Sequence, residues 1–496
     1  MVKKTTIFLL SISLLGLGIS TPVLAKKNKV IEKIIRIGKI DNRTMQHLDT
    51  LCHRFGGRPI GTAAYDNAAE WAVHMFKSWG MKVQLQEAGS LPVGFNRGPW
   101  FGKMISPDTM QLHFRTPAYT PGTRGRQVAA AVIEPRTERA FSRRLGKLKG
   151  AWVLMNRTDA DKKRAAEIRK LGYWERRKQQ EIERKKLDQR IQKMEKAGAL
   201  GFIMPAKLPI QSHYDRNLFK WKGWNDIPKI CRVNLDEHQF EKIFRRIRER
   251  QRVLLEIEIR NFFKMGPVKY HNVIGIIPGT KYPDEYVIFG GHLDSYDAAT
   301  GAVDNGNGVT TSMEAARLIM AAGGKPKRTI LVCLWAGEEF GLLGSQAWVK
   351  KNKKRLKNIS VMFNRDGGPT APESLSVSEA MWKDMEKVCQ PVTRINPGFP
   401  FRLVKHKARR IPKTLGGSDS VSFMMHGVPA MSFRNGDPKG YGFSYYEIWH
   451  TENDYYQKSI KEYQDHASIV TAVVIYGIAN LNHKLDRTGF YLPEKK

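Results

Sequence analysis

Apolar positions along the 496-residue chain fall into three textures. In the first, Ala68, Ala72, Met75, Phe76 and Trp79 recur at helical spacing behind Thr62, a good N-cap, and Gly80 ends the run, which predicts a helix. Met81, Val83 and Leu85 then alternate as in a strand. From about Gly98 the runs shorten and alternate, as in Met110, Leu112 and Phe114 or in Leu255, Ile257 and Ile259, predicting a separate β-rich segment. From about residue 267 near-continuous apolar runs at 273–277, 286–289, 329–335, 359–363 and 430–433 alternate with helical ones, such as Val309, Met313, Ala316 and Met320. Strands apolar on both faces belong to a sheet covered on both sides. The predicted fold is therefore α/β: a mixed, mostly parallel central sheet with helices on both faces, interrupted by a β-rich insertion. Residues 26–98 and 266–496 form one discontinuous domain, and 99–265 form the insertion.

Inside the insertion, residues 162–196 hold 14 Lys or Arg and 6 Asp or Glu in a pattern suited to one or two helices, broken near Gly172 with Tyr173 and Trp174 at the break. The simplest reading is a solvated charged face, and docking to an anionic surface or glycan is the alternative. The whole chain carries 83 Lys and Arg against 47 Asp and Glu, a net +36 that speaks to partners and solubility, not to fold. No nucleic-acid motif and no tandem repeat accompanies this charge, so a specific nucleic-acid partner is not expected.

At the N-terminus, Lys3 and Lys4 precede an apolar run from about Ile7 to Ile19 and a Val23-Leu24-Ala25 cleavage pattern. This reads as a signal peptide at 1–25, too short for a membrane span. The expectation is an exported protein, periplasmic or secreted, with no transmembrane segment in the mature chain and a mature charge of +34 once the two lysines are removed. Cys52, Cys231, Cys333 and Cys389 allow disulfides in that compartment but are too few to define the fold, and Cys333 in its apolar run reads as a buried thiol.

The ionisable residues fall at the carboxyl ends of the predicted strands, where open α/β sheets gather their ligands. His292, Asp304, Glu339, Asp366 and the later His450 offer two imidazoles and three carboxylates, a set suited to two borderline divalent cations. Two such ions, three carboxylates and a bridging hydroxide sum to zero charge, as a buried site requires. Zinc suits this donor mixture, with cobalt or manganese as substitutes. Glu338, one residue before a ligand, is placed to act as general base on the activated water and later to protonate the leaving amine. Asp294, two residues after His292, is expected to accept the other ring N–H and set its tautomer.

The segments GGHLDSYD, GAVDNGNG, LWAGEEFGLLGSQAW, FNRDGG, GGSDS and WHTENDYY, in that order over residues 267–460, resemble the co-catalytic zinc exopeptidases that include bacterial leucyl aminopeptidases and plasma glutamate carboxypeptidase. The resemblance implies that His292 and Asp366 bind one metal, Glu339 and His450 the other, that Asp304 bridges, and that Glu338 is the base. The separation of His292 and Asp304 by twelve positions, and the position of the insertion, are similar to the carboxypeptidase branch. GKLKGAWVLMN and KAGALGFIM resemble strand motifs of its protease-associated domain, and the relatives suggest a homodimer. Asn305 stands where several relatives have an acid and Ser420 where a His is frequent, so substrate preference is open. Ser418 and Asp419 are substrate-pocket candidates.

The leading expectation is an exported di-zinc exopeptidase acting on dipeptides or short peptides. Two other readings compete: a single-zinc enzyme similar to glutaminyl cyclases, and a polyanion-binding surface protein with a structural zinc site.

Overall fold

The computed structural model describes residues 28–156 and 158–493. The leader reading at 1–25 lies outside the described residues. Thr62 caps the helix Ala63–Ser78 as its spacing predicts: its hydroxyl accepts the Tyr65 N–H, and Ala68, Ala72 and Phe76 are fully buried. That helix packs on one face of a six-stranded sheet ordered Lys82–Asn96, Phe262–Ile277, Arg328–Trp335, Tyr282–His292, Ile359–Asn364, Ala430–Met431. The last three pairings in this order are parallel and the first two antiparallel. Both faces are covered. Asn307–Ala321 and Lys461–Ala479, buried along nearly their whole length, pack together on one side, while Trp335, Trp348 and Phe423 build a second core on the other.

Three sequence expectations need correction. Leu85 was expected to turn inward with Met81 and Val83, but it is 46% exposed and Gln86 is buried instead. The cause is a self-satisfying polar pair: Asn272 Nδ2 donates to Gln86 Oε1 and to Gly344 O, while its Oδ1 accepts the Ala336 N–H. The apolar run at 430–433 is not one strand. It splits at Ser432, with Ala430–Met431 ending the main sheet and Phe433–Gly436 joining a three-stranded sheet with Ala371–Val377 and Arg402–Lys405. Met110–Gln111 and Phe114–Arg115 are likewise two strands, at opposite ends of the second large sheet.

That second sheet has eight strands, all drawn from residues 100–259. The ribbon formed by Lys82–Asn96 and Phe262–Ile277 carries the chain out to it and back. Half of it is not a plain β arrangement: Gln127–Ile133, Trp152–Leu154, Gly201–Ala206 and Cys231–Asp236 run parallel, with helices between them. Sequence periodicity missed this because the crossover helix Glu138–Leu148 buries only Leu148. The basic stretch forms two helices, Asp159–Lys170 and Tyr173–Lys196. The longer one buries Ile191 and Met194 near its C-terminus, and its charges pair locally, Lys185 with Glu181 and Lys186 with Glu183. Among the described residues the four cysteines are buried and free, and no helix is long and apolar enough to cross a membrane.

Candidate metal centre

The parallel strands deliver the polar residues at their carboxyl ends. Tyr282–His292 ends on His292, and the Arg328–Trp335 strand is followed by Glu338 and Glu339. Ile359–Asn364 leads into Asp366, and Asp304 lies in the turn before Asn307–Ala321. His450 arrives on a loop between two 3-10 turns, Tyr445–Glu447 and Tyr456–Lys458. All six converge. His292 groups with Asp304 and Asp366, and with Glu338 and Glu339; Asp304, Glu339 and His450 form a further triplet, each set with donor atoms within 4.8 Å of one another. Asp304 is central: Oδ1 lies 3.3 Å from His292 Nε2 and Oδ2 lies 3.3 Å from His450 Nε2. Asp366 Oδ1 is 3.7 Å from His292 Nε2, and Glu339 Oε2 is 3.0 Å from His450 Nε2.

Packing so many ionisable groups out of water shifts them strongly. Burial pushes the Glu338 carboxyl well up. Burial and then the charge of Asp304 raise Glu339 to about 8. Burial also opposes charge on Asp304, but hydrogen bonds from His292 and His450 overcome it and hold that carboxyl below its usual range. Burial works against the two imidazolium ions as well. Asp294, Asp304 and Asp366 outweigh it at His292, and Asp304 and Glu339 outweigh it at His450, which rises to about 9. The donor set fits divalent cations, because Glu339 Oε1 is buried with no hydrogen-bond partner and four carboxylates share one low-dielectric space.

Surrounding residues show what sequence reasoning placed and what it missed. Asp294 lies at the site, but its role is different from the expected one: the His292 Nδ1 partner is the Asp294 backbone carbonyl at 2.9 Å, while the carboxylate oxygen is 3.7 Å away. The carboxylate instead accepts the N–H groups of Glu338 and Glu339, at 3.1 and 3.2 Å, and so fixes the backbone that carries both glutamates. Of the pocket candidates, Asp419 is fully buried with both carboxylate oxygens unpartnered, and Ser418 Oγ accepts a hydrogen bond from Asn364 Nδ2, so Asp419 cannot line an open pocket. Asn305 uses both ends of its amide, donating to Arg365 O and accepting the Gly308 N–H. An aspartate there could not donate.

Asp454 and Arg58 carried no sequence assignment. Asp454 accepts the Val303 and Asp304 N–H groups, and its place in WHTENDYY was the available signal. Arg58, with no exposed surface, donates to Gly56 O, Leu293 O, Thr300 O and Gly301 O, pinning the loop between His292 and Asp304 from a distant part of the chain. Nothing local in the sequence marks it.

Ligand-type residues at the carboxyl ends of parallel strands, sharing one central carboxylate, agree with a family comparison in which a profile described as Peptidase family M28 matches residues 272–474. Residues 272–474 are thus similar to this family. The chain is a metallopeptidase. Among M28-like relatives, carboxypeptidase Q of Xenopus laevis is 25% identical over 463 residues, covering 91% of this chain and 88% of the relative. A peptidase M28 precursor of known structure from Shewanella amazonensis superposes with a TM-score of 0.60 at 22% identity, covering 94% of this chain and 99% of its own. A zinc aminopeptidase from Bacillus subtilis gives 0.55 at 20% identity, covering 91% and 97%. The likeness of fold thus covers residues 100–259 as well as those of the family match.

Proposed function

We propose that this metallopeptidase is an exported exopeptidase working with two zinc ions on dipeptides or short peptides. One observation carries the reading: the two oxygens of Asp304 face two different imidazoles at equal distance. His292 and Asp366 would hold one ion and Glu339 and His450 the other, with Asp304 shared. Zinc suits this mixture of imidazole and carboxylate, and cobalt or manganese would also bind. When bound, the ions would supply Lewis acidity toward the scissile carbonyl and lower the pKa of a water so that, on losing a proton, it becomes a nucleophile.

The chain's own groups do the rest. Glu338, its carboxyl raised by burial against the opposing charge of His292, takes the proton of the attacking water and returns it to the leaving amine. Asp294 keeps that carboxyl aimed by holding its backbone. The insertion, read as protease-associated-like over 99–265, supplies the far wall: Tyr214 stacks on Phe340 at 4.2 Å and His213 meets His450 edge-on at 5.3 Å. A walled crevice admits a chain end more easily than a chain middle, which supports exopeptidase action. Export rests on the basic and apolar pattern of residues 1–25. Relatives named carboxypeptidase and aminopeptidase leave the recognised terminus to experiment.

The test is zinc quantification beside hydrolysis of dipeptides blocked in turn at the amino and carboxyl end. Two zinc ions per chain, and activity abolished by one of the two blocks, are expected. One zinc with cyclisation of amino-terminal glutamine would favour the cyclase-like reading, and two zinc ions with no dipeptide cleaved would remove the exopeptidase assignment.

A further inference from the structure

Glu452 lies two residues beyond His450 in the WHTENDYY segment, has no place in the metal cluster, and is nonetheless 6% exposed and fully engaged. Its partners come from the insertion. Oε1 accepts the Ile210 N–H at 3.0 Å, and Oε2 lies 2.8 Å from His113 Nε2 and 3.1 Å from Arg115 Nη2. The backbones are tied at the same place: Glu452 N–H donates to Ile210 O, Ser212 N–H donates to His450 O, and Gln211 bridges antiparallel to Thr451. His450 itself has φ 59°, a left-handed conformation that a residue with a Cβ keeps only when its surroundings impose it. A short ladder to the insertion, locked by a buried carboxylate, is such a surrounding.

We propose that Glu452 is a positioning residue for the metal: through His113, Arg115 and Ile210 the insertion fixes the backbone of His450, so the insertion belongs to the second metal site although it donates no ligand. This rests on His450 being a ligand. A side chain that only glued two domains together would lower stability without distinguishing between two ions. A positioning residue acts mainly on one ion, because His292 and Asp366 follow strands of the central sheet and the turn carrying Asp304 is also pinned by Arg58 at Thr300 and Gly301.

The experiment is zinc competition with a chromogenic chelator on the full chain, together with hydrogen exchange of residues 208–216 in the metal-free protein. Glu452→Ala should weaken one of the two zinc ions by on the order of 10- to 100-fold and leave the other unchanged, the usual loss when a group orienting a ligand is removed. Exchange at the Ile210 and Ser212 amides should rise. Glu452→Gln keeps an oxygen for the Ile210 N–H and should recover part of the affinity. His450→Ala is the control for the ligand reading. If it loses one ion while Glu452→Ala binds both at wild-type affinity, the positioning role is overturned and the ligand reading stands; if it keeps both ions, the ligand reading fails and the positioning role falls with it. Should Glu452→Ala not fold, the pair His113→Ala and Arg115→Met carries the same expectation, and unchanged affinity for both ions in that variant overturns the proposal.

Discussion

The two halves of the metal centre are built differently. The His292 half belongs to the sheet: the His292 side chain is 1% exposed, its Nδ1 partner is a backbone carbonyl two residues on, and the buried Arg58 holds the adjoining loop. The His450 half lies on a loop, its side chain 12% exposed, and its backbone is tied to a segment of the insertion. One half inherits rigidity from hydrogen-bonded strands, and the other obtains it from a contact between distant parts of the chain. Strand ends place a ligand by register, whereas a loop needs an external brace to reach comparable precision. The contrast shows where the site can be weakened without touching a ligand.

The largest effect should come from the group the halves share. Asp304→Ala leaves two ions without their common counter-charge, and both metal content and activity should fall to background, checked by elemental analysis and a rate assay. Two tightly held ions in that variant would mean that the halves are independent. Glu338→Gln should keep both ions and lower kcat by on the order of 10²- to 10⁴-fold, the range for loss of a general base. Near-normal turnover would exclude Glu338 from the mechanism.

Arg58→Met strikes the rigid half alone. It leaves four carbonyl oxygens without their buried donor, so chemical denaturation should show a loss on the order of 3 kcal/mol, and zinc binding should weaken. If stability is unchanged, the loop from His292 to Asp304 does not depend on that guanidinium. Neutralising Arg176, Arg177, Lys185 and Lys186, which are remote from both halves in sequence, should have the smallest effect. Melting temperature and metal content should stay the same, and only salt-sensitive retention on a heparin matrix should fall. A loss of zinc would show that the basic helices support the brace on His450.

Local patterns revealed much of the architecture. Near-continuous apolar runs located the buried strands because strands covered on both faces have no polar side, and Thr62 and Gly80 bounded their helix because caps are local chemistry. The same patterns failed at Leu85, which is exposed while Gln86 of the polar pair is buried, and at the crossover helix Glu138–Leu148, where Leu145 of the apolar side stays exposed and only Leu148 is buried. The candidate cluster was legible because acids and imidazoles directly after strands are forced by topology into one crevice.

By itself the sequence determined the class of the fold and the peptidase motifs and named the candidate donor set, since each depends on residues close together along the chain or on strand ends that topology gathers. It also places all five candidate ligands outside 99–265. Only the tertiary structure decided which distant residues meet the segments that carry them. Glu452 meets Ile210 and His113 across 242 and 339 residues, and Arg58 reaches Leu293 across 235. A buried charge takes its partner from whatever the fold brings within hydrogen-bond reach, and separation along the chain places no limit on which residue that is.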